Sequence, residues 1–489
     1  MRNSVCPSEA RGEMTKAPIA LQELRRRIYR KAKSEKAHRF WGIFVHVTRK
    51  ETLEEAYRIA KRNGGAAGID GQTFEAIETV GLDGFLAAIR DDLETGRYKP
   101  HPNRRVDIPK EQGKFRTLQI PCIRDRVVQG ALKLILEAIF EADFCPNSYG
   151  FRPKRSPHRA LAEVRRSLMR RMTTVIDVDL AKYFDNVRHD VLLGKIARRV
   201  QDPKILHLVK LIIKAGGKKG VPQGGPFSPL AANIYLNEVD WYFDDLRRKT
   251  AEGPYEAINY HRFADDMVIT ISGHWSKRGW AERALQRLQE QLETLRVELN
   301  REKTKMVDTL KGEAFGFLGF DLRRVHKRKK DGYTIQMTPK KKARKVVKAK
   351  IRDIIRSGGA TPVTVIVARV NAVVAGWVNY FRVGNSSRAF SEVRDYLEMK
   401  IRTLLTRRKR RRKTSIGWWR WSNAYVYGVL GLYWDWKIHP LPLCNGLRVK
   451  VAAAMREATF DGCPYQIGCQ EGERDRYSDL SHAALFPFW

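Results

Sequence analysis

Two spacings of apolar residues divide the chain. Over residues 20–63 apolar positions recur at helical intervals among many Arg and Lys. The pattern breaks near Phe40–Gly42 and resumes as a stripe of Leu53, Ala56, Ile59 and Ala60, so helices are predicted. Beyond residue 100 the period falls to two. Arg104–Lys110 and Gly113–Pro121 predict a β-hairpin turning at Glu111–Gly113, then a helix over Asp125–Phe140 and a Pro/Gly-punctuated loop at 146–157. Thr174–Leu180 alternates so that Asp177 and Asp179 project from one face. Residues 258–271 are two β-rich arms around an Asp265-Asp266 bend. A helix is predicted over 276–298 and one short strand over Phe315–Leu322. From 338 the helical period returns. Thr361-Pro362 opens a helix whose apolar positions 363, 366, 367, 370, 373, 374, 377, 380 and 381 share a stripe. Mixed strands and helices followed by helices alone predict an α+β body with an all-α appendage.

Charge narrows the class of partner. Among 489 residues, 93 are Lys or Arg against 54 Asp or Glu, a formal +39, while 43% are apolar. A folded, strongly basic chain implies a polyanion, because each phosphate contact releases counterions. The excess is uneven: residues 323–413 hold 28 Lys/Arg and 5 Asp/Glu. Within it Arg407, Arg408, Lys409, Arg410, Arg411, Arg412 and Lys413 precede Trp418, Trp419, Trp421, Tyr425 and Tyr427. Cations beside stacking aromatics favour nucleic acid over a merely solvated face. No membrane partner is expected: the most apolar stretch, 362–381, contains Arg369 and Asn371 and is read as a packed helix. Six cysteines without a CxxC pair suggest reduced thiols and no zinc ribbon, and no apolar leader opens the chain. A cytoplasmic location is expected.

The acidic residues suggest the chemistry. Nucleotide addition drives a 3′-oxygen onto an α-phosphorus while pyrophosphate leaves, and two metal ions held by carboxylates can stabilise both oxygens. Magnesium takes oxygen ligands and keeps several waters, so two or three aspartates from separate strands suffice. Asp179 on one strand and Asp265-Asp266 on a bend are such a set. An Asp pair in a turn is by itself ordinary hairpin chemistry; its company makes it specific. In order come Ile108-Pro109-Lys110…Arg116, Asn147–Pro153, the Asp179 strand, Pro222-Gln223-Gly224, Phe263-Ala264-Asp265-Asp266, Leu299–Thr304 and Phe317–Phe320. Through these seven motifs, over roughly 50–415, the sequence resembles the reverse transcriptases of group II introns.

The resemblance implies a right-hand polymerase: a basic helical extension (1–63), fingers and palm (64–337), an all-α thumb or maturase X domain (338–413) and a basic, aromatic-rich tail (414–489). It implies Asp179, Asp265 and Asp266 as catalytic metal ligands for two Mg2+ ions. Lys110 and Arg116 would grip the incoming dNTP, Gln223 the nascent pair, with Gly224 allowing close backbone approach, and Lys303 the leaving pyrophosphate. Phe184, five residues past Asp179, would lie under the sugar and exclude a 2′-hydroxyl. Gly is absent before Asp265-Asp266, and Phe263 replaces the tyrosine usual in the family, which removes one hydroxyl and leaves both carboxylates. Asn371–Arg382 is similar to the family's thumb. The implied partners are intron RNA, an RNA template with DNA primer, target DNA and dNTPs; the oligomeric state stays open. No HNH nuclease is expected, since Cys444, Cys463 and Cys469 lack its pairing. The aromatic stretch 418–436 is either a folded cap or a DNA contact. Two alternatives stay open: a splicing-only maturase, and a freestanding relative used in repair or phage defence.

Overall fold

The computed structural model describes residues 19–109, 115–251, 256–274, 277, 279–327, 331–408, 420–441 and 464–465. Five helices open it: α1 (Ile19–Ser34), α2 (Phe44–Val47), α3 (Lys50–Arg62), α4 (Phe74–Val80) and α5 (Leu82–Glu94). The expected stripe of α3 is buried at Leu53, Ala56 and Ala60. Strands β1 (Arg104–Pro109) and β2 (Phe115–Ile120) pair antiparallel from Arg104↔Ile120 to Pro109↔Phe115. The expected turn at 111–113, with Lys110, lies outside the described residues. Helix α6 (Ile123–Phe140) is buried almost all round and packs on α3; a Cβ at Gly130 would sit 3.1 Å from that of Ala56. Such all-round burial marks a central core helix.

Next come α7 (Pro157–Met169), β3 (Thr174–Val178), α8 (Tyr183–Asn186), α9 (His189–Ala197), α10 (Pro203–Lys214) and α11 (Ser228–Lys249). The Ser156 hydroxyl accepts the Arg159 N–H and Pro157 occupies the first turn of α7, a start suited to both residues. Strands β4 (Ile258–Phe263) and β5 (Asp266–Ile271), helix α12 (Trp280–Thr294) and β6 (Lys305–Asp308) complete the central sheet, ordered β4-β5-β3-β6 and antiparallel throughout.

Both faces of this sheet are covered. Ile176, Val178, Tyr260, Ile269 and Ile271 join one core with α6 and α9–α12. Val175, Phe263 and Val268 join a second core on the opposite face. Two-sided burial explains why these strands are nearly continuous apolar runs, and makes each acidic residue within them conspicuous.

The second core is closed by β7 (Ala314–Phe317), β8 (Phe320–His326) and β9 (Tyr333–Pro339), then α13 (Lys341–Ser357), α14 (Val363–Phe381) and α15 (Ser387–Arg408). The single strand expected over Phe315–Leu322 is instead a hairpin. Phe317 pairs with Phe320, and Leu318 and Gly319 turn between them at φ 47° and 77°. Positive φ at both central residues fits the twist of paired strands, but leucine gives no turn signal in sequence. Helix α14 is long and apolar enough to cross a membrane, yet its stripe from Ile366 to Phe381 packs into this core. The described part of the aromatic stretch folds over it as a cap: Trp421 and Val426 are buried, and Tyr427 donates to Glu398 at 2.6 Å.

Candidate active site

The antiparallel register gathers the acids. Asp177 pairs with Val268 and Val178 with Met267, so one further step sets Asp179 across from Asp266. Residues opposite each other point to the same side of a sheet. Asp177, Asp179 and Asp266 therefore share the face of Val175 and Val268, toward the second core. The bend between β4 and β5 is a two-residue turn of Ala264 and Asp265, closed by Phe263↔Asp266. Ala264 carries a φ of 59°, and Asp265 is exposed at the tip.

This crowding is legible in proton affinity. Asp266 keeps some surface but is ringed by protein, so burial, then the nearby Asp265, pushes its carboxyl up to about 8; Asp177 and Asp179 act in the same direction. Burial likewise raises Asp177 to about 6. Lys340, just before α13, opposes both shifts. Carboxylates that resist ionising together are an oxygen-only donor set short of positive charge, and a hard divalent cation fits that deficit.

Asp179 is steered from one side. Asn300 donates through Nδ2 to its Oδ2 at 2.9 Å and through its backbone N–H to the Asp179 carbonyl at 2.8 Å. Lys303 Nζ lies 3.5 Å from the same Oδ2, with its side chain 67% exposed. Asn300 lies within the Leu299–Thr304 motif, but a neutral amide advertises no role in sequence.

The glycine-rich loop is latched to both neighbours. Val221 and Gly220 donate to the carbonyls of Phe184 and Val187, each at 2.8 Å. Gln223 accepts the Gln119 N–H of β2 at 2.8 Å through its carbonyl, and its Nε2 reaches Asp185 at 3.4 Å. Gly224, at φ 130°, lies so close to β2 that a Cβ would stand 2.6 Å from the Gln119 carbonyl oxygen. Close backbone approach does occur at Gly224, and its neighbour is β2. Phe184, half-buried on α8, packs edge-on to Tyr183 with centroids 5.4 Å apart.

Arg116 lies on β2, opposite Ile108. Arg407 is exposed at the end of α15, and Arg408 donates to the Gly359 carbonyl at 2.8 Å. Lys409–Lys413 lie outside the described residues, as do Cys444, Cys463 and Cys469. A separate His101–Cys122–Asp125 cluster has ligand atoms within 4.8 Å of one another. There Asp125 already accepts the Tyr98 hydroxyl at 2.8 Å and the His101 N–H at 2.9 Å.

Residues 108–322 match the reverse transcriptase (RNA-dependent DNA polymerase) family, and residues 344–425 match the group II intron maturase-specific domain. Protein YkfC of Escherichia coli is 35% identical over 365 residues, covering 67% of this chain and 94% of that protein. The chain belongs to the group II intron reverse transcriptase–maturases. The group II intron-encoded protein LtrA of Lactococcus lactis is 29% identical over 354 residues, or 58% of this chain and 57% of LtrA. A putative COX1/OXI3 intron 1 protein of Saccharomyces cerevisiae is 27% identical over 344 residues, 60% of this chain and 39% of that one. In this reverse transcriptase–maturase the acid-lined sheet falls inside the first match, and α14, α15 and the start of the aromatic cap inside the second.

Proposed function

We propose that the chain copies RNA into DNA at the Asp179–Asp265–Asp266 centre and also assists splicing of a group II intron. The observation that carries the reading is the β3–β5 register, which ends on Val178↔Met267 and so brings the next residue, Asp179, to the end of the sheet that holds Asp266 and the exposed Asp265. These three carboxylates would hold two Mg2+ ions, which when bound stabilise the attacking and leaving oxygens of the displacement.

The chain's own residues supply position. Asn300 occupies one edge of Asp179 Oδ2 and so fixes which way that carboxylate faces. Phe184 would lie under the sugar of an incoming nucleotide and select deoxyribose by excluding a 2′-hydroxyl. Gln223 and Gly224, tied to β2, set the floor for the nascent pair. Lys110 and Arg116 on the first hairpin grip the triphosphate, and Lys303 meets the departing pyrophosphate. Residues 64–337 serve as fingers and palm and 338–413 as thumb. Their basic surface and the Arg407–Lys413 run hold intron RNA, primer–template and target DNA by phosphate contacts.

Primer extension on an RNA template with purified protein and Mg2+ tests the reading, paired with splicing of an intron RNA at low Mg2+. Asp179→Asn is expected to lose extension by orders of magnitude and keep splicing. Full extension by that variant would overturn the catalytic assignment.

A further inference from the structure

The bend that presents Asp265 and Asp266 has no glycine, and its first residue adopts a backbone conformation that L side chains rarely take. Ala264 has a φ of 59°. Positive φ at the first position of a two-residue hairpin turn is ordinarily met by glycine. Something else must hold Ala264 there, and the residue aimed at it is Arg262. This side chain is wholly buried, as is its partner Asp240 on α11. Arg262 Nε and Nη2 donate to the two Asp240 carboxylate oxygens at 2.7 and 2.5 Å. Its remaining arm, Nη1, donates to the Ala264 carbonyl at 2.8 Å and to Asn233 Oδ1 at 3.0 Å.

The far side of the turn is closed as well. Asn233 Nδ2 donates to the Gly150 carbonyl at 2.8 Å. The Asn147 carbonyl accepts the Arg262 N–H at 3.0 Å, and Tyr149 N–H returns to the Arg262 carbonyl at 2.9 Å. A Cβ at Gly150 would overlap Ala264 N. The turn is thus gripped between the α11 side chains and the 147–150 loop, with one guanidinium touching both the helix and the turn.

We propose that Arg262 is a positioning residue for polymerisation: anchored on Asp240, it sets the Ala264 carbonyl and so the placement of Asp265 and Asp266. The proposal rests on the reading of those aspartates as catalytic. A salt bridge there for stability alone would need only the Asp240 contacts; the Nη1 bond to the turn is what a positioning role adds. Lysine keeps the charge opposite Asp240 but has no planar fork to span three partners.

The test is burst kinetics of single-nucleotide addition on a primer–template, where amplitude counts competent enzyme and rate reports the aligned site. For Arg262→Lys the rate constant is expected to fall about 10- to 100-fold, with amplitude and dNTP affinity retained, since small misplacements act on turnover. Asn233→Ala leaves the Asp240 ion pair and the Nη1–Ala264 bond in place but removes the second partner of Nη1 and the bond to the Gly150 carbonyl, and it is expected to slow the same step. Should Arg262→Lys fail to fold, the split in Asn233→Ala decides. A parental rate constant with reduced amplitude would make Arg262 purely structural and overturn the proposal. Asp265→Asn run alongside separates the two readings. If it extends primers normally, the catalytic assignment fails. If it is inactive while Arg262→Lys keeps the parental rate, only the positioning role fails.

Discussion

Asp265→Asn has opposite expected effects on activity and stability, and their dependence on pH identifies the cause. Asp266 binds its proton up to about pH 8 instead of near the usual 3.8, first through burial and next through the charge of Asp265. A shift of about four units sets a ceiling of about 5–6 kcal/mol on the strain of ionising it in the folded protein. Burial takes the larger share, so removing the Asp265 charge should return about 1 kcal/mol. The sign follows from linkage: the folded state binds more protons than the unfolded between about pH 4 and 8, so stability declines as pH rises through that window. Below it Asp266 is neutral in both states and the substitution relieves nothing. Thermal unfolding of the metal-free variant should therefore match the parent near pH 4 and exceed it by about 1–3 °C near pH 8.5. Primer extension should meanwhile fall about a thousandfold, the equivalent of about 4 kcal/mol of lost transition-state stabilisation. A gain in unfolding temperature equal at both pH values would refute the repulsion argument. Retained extension would refute the catalytic one.

Phe184→Val should raise ribonucleotide relative to deoxyribonucleotide incorporation, read by single-nucleotide kinetics with matched dNTP and rNTP; unchanged discrimination would make the ring a core residue only. His261 is fully buried, and burial, ahead of repulsion from Arg166 and Arg247, lowers its pKa to about 3 from 6.5. The unfolded chain takes up that proton first as pH falls below 6.5, so His261→Gln should remove about 2 kcal/mol of the stability difference between pH 7 and pH 5 in urea unfolding. Neutralising Arg407–Lys413 should shallow the salt dependence of binding to unrelated RNAs, since each lost phosphate contact removes nearly one unit of log–log slope. An unchanged slope in a salt titration would show that the run faces solvent.

What sequence could and could not reveal follows from the range of each interaction. Strand β3 was legible because alternation is a local property and β5 because β-rich composition is, and the acids stood out because both sheet faces bury apolar side chains. Helix α14 was legible down to its stripe for the same reason. The Leu318-Gly319 turn was missed because Phe-Leu-Gly-Phe has the composition of a strand, and only pairing of its two arms forces the reversal. Lys340 and Arg262 were missed for a different reason. Each is one basic residue among 93, and nothing in its neighbours says that it meets a carboxylate instead of water. Arg262 finds Asp240 across 22 residues, between the sheet and the helix behind it. Lys340 reaches the Asp177 and Asp266 environment from the edge of the helical region. A catalytic carboxylate can announce itself by interrupting a local apolar pattern; the cations that brace or offset it acquire their partners only when the chain closes. Reading a basic chain by composition therefore overstates how many of its cations face solvent but not its net charge, since a cation turned inward, as Arg262 is onto Asp240, takes an acid with it.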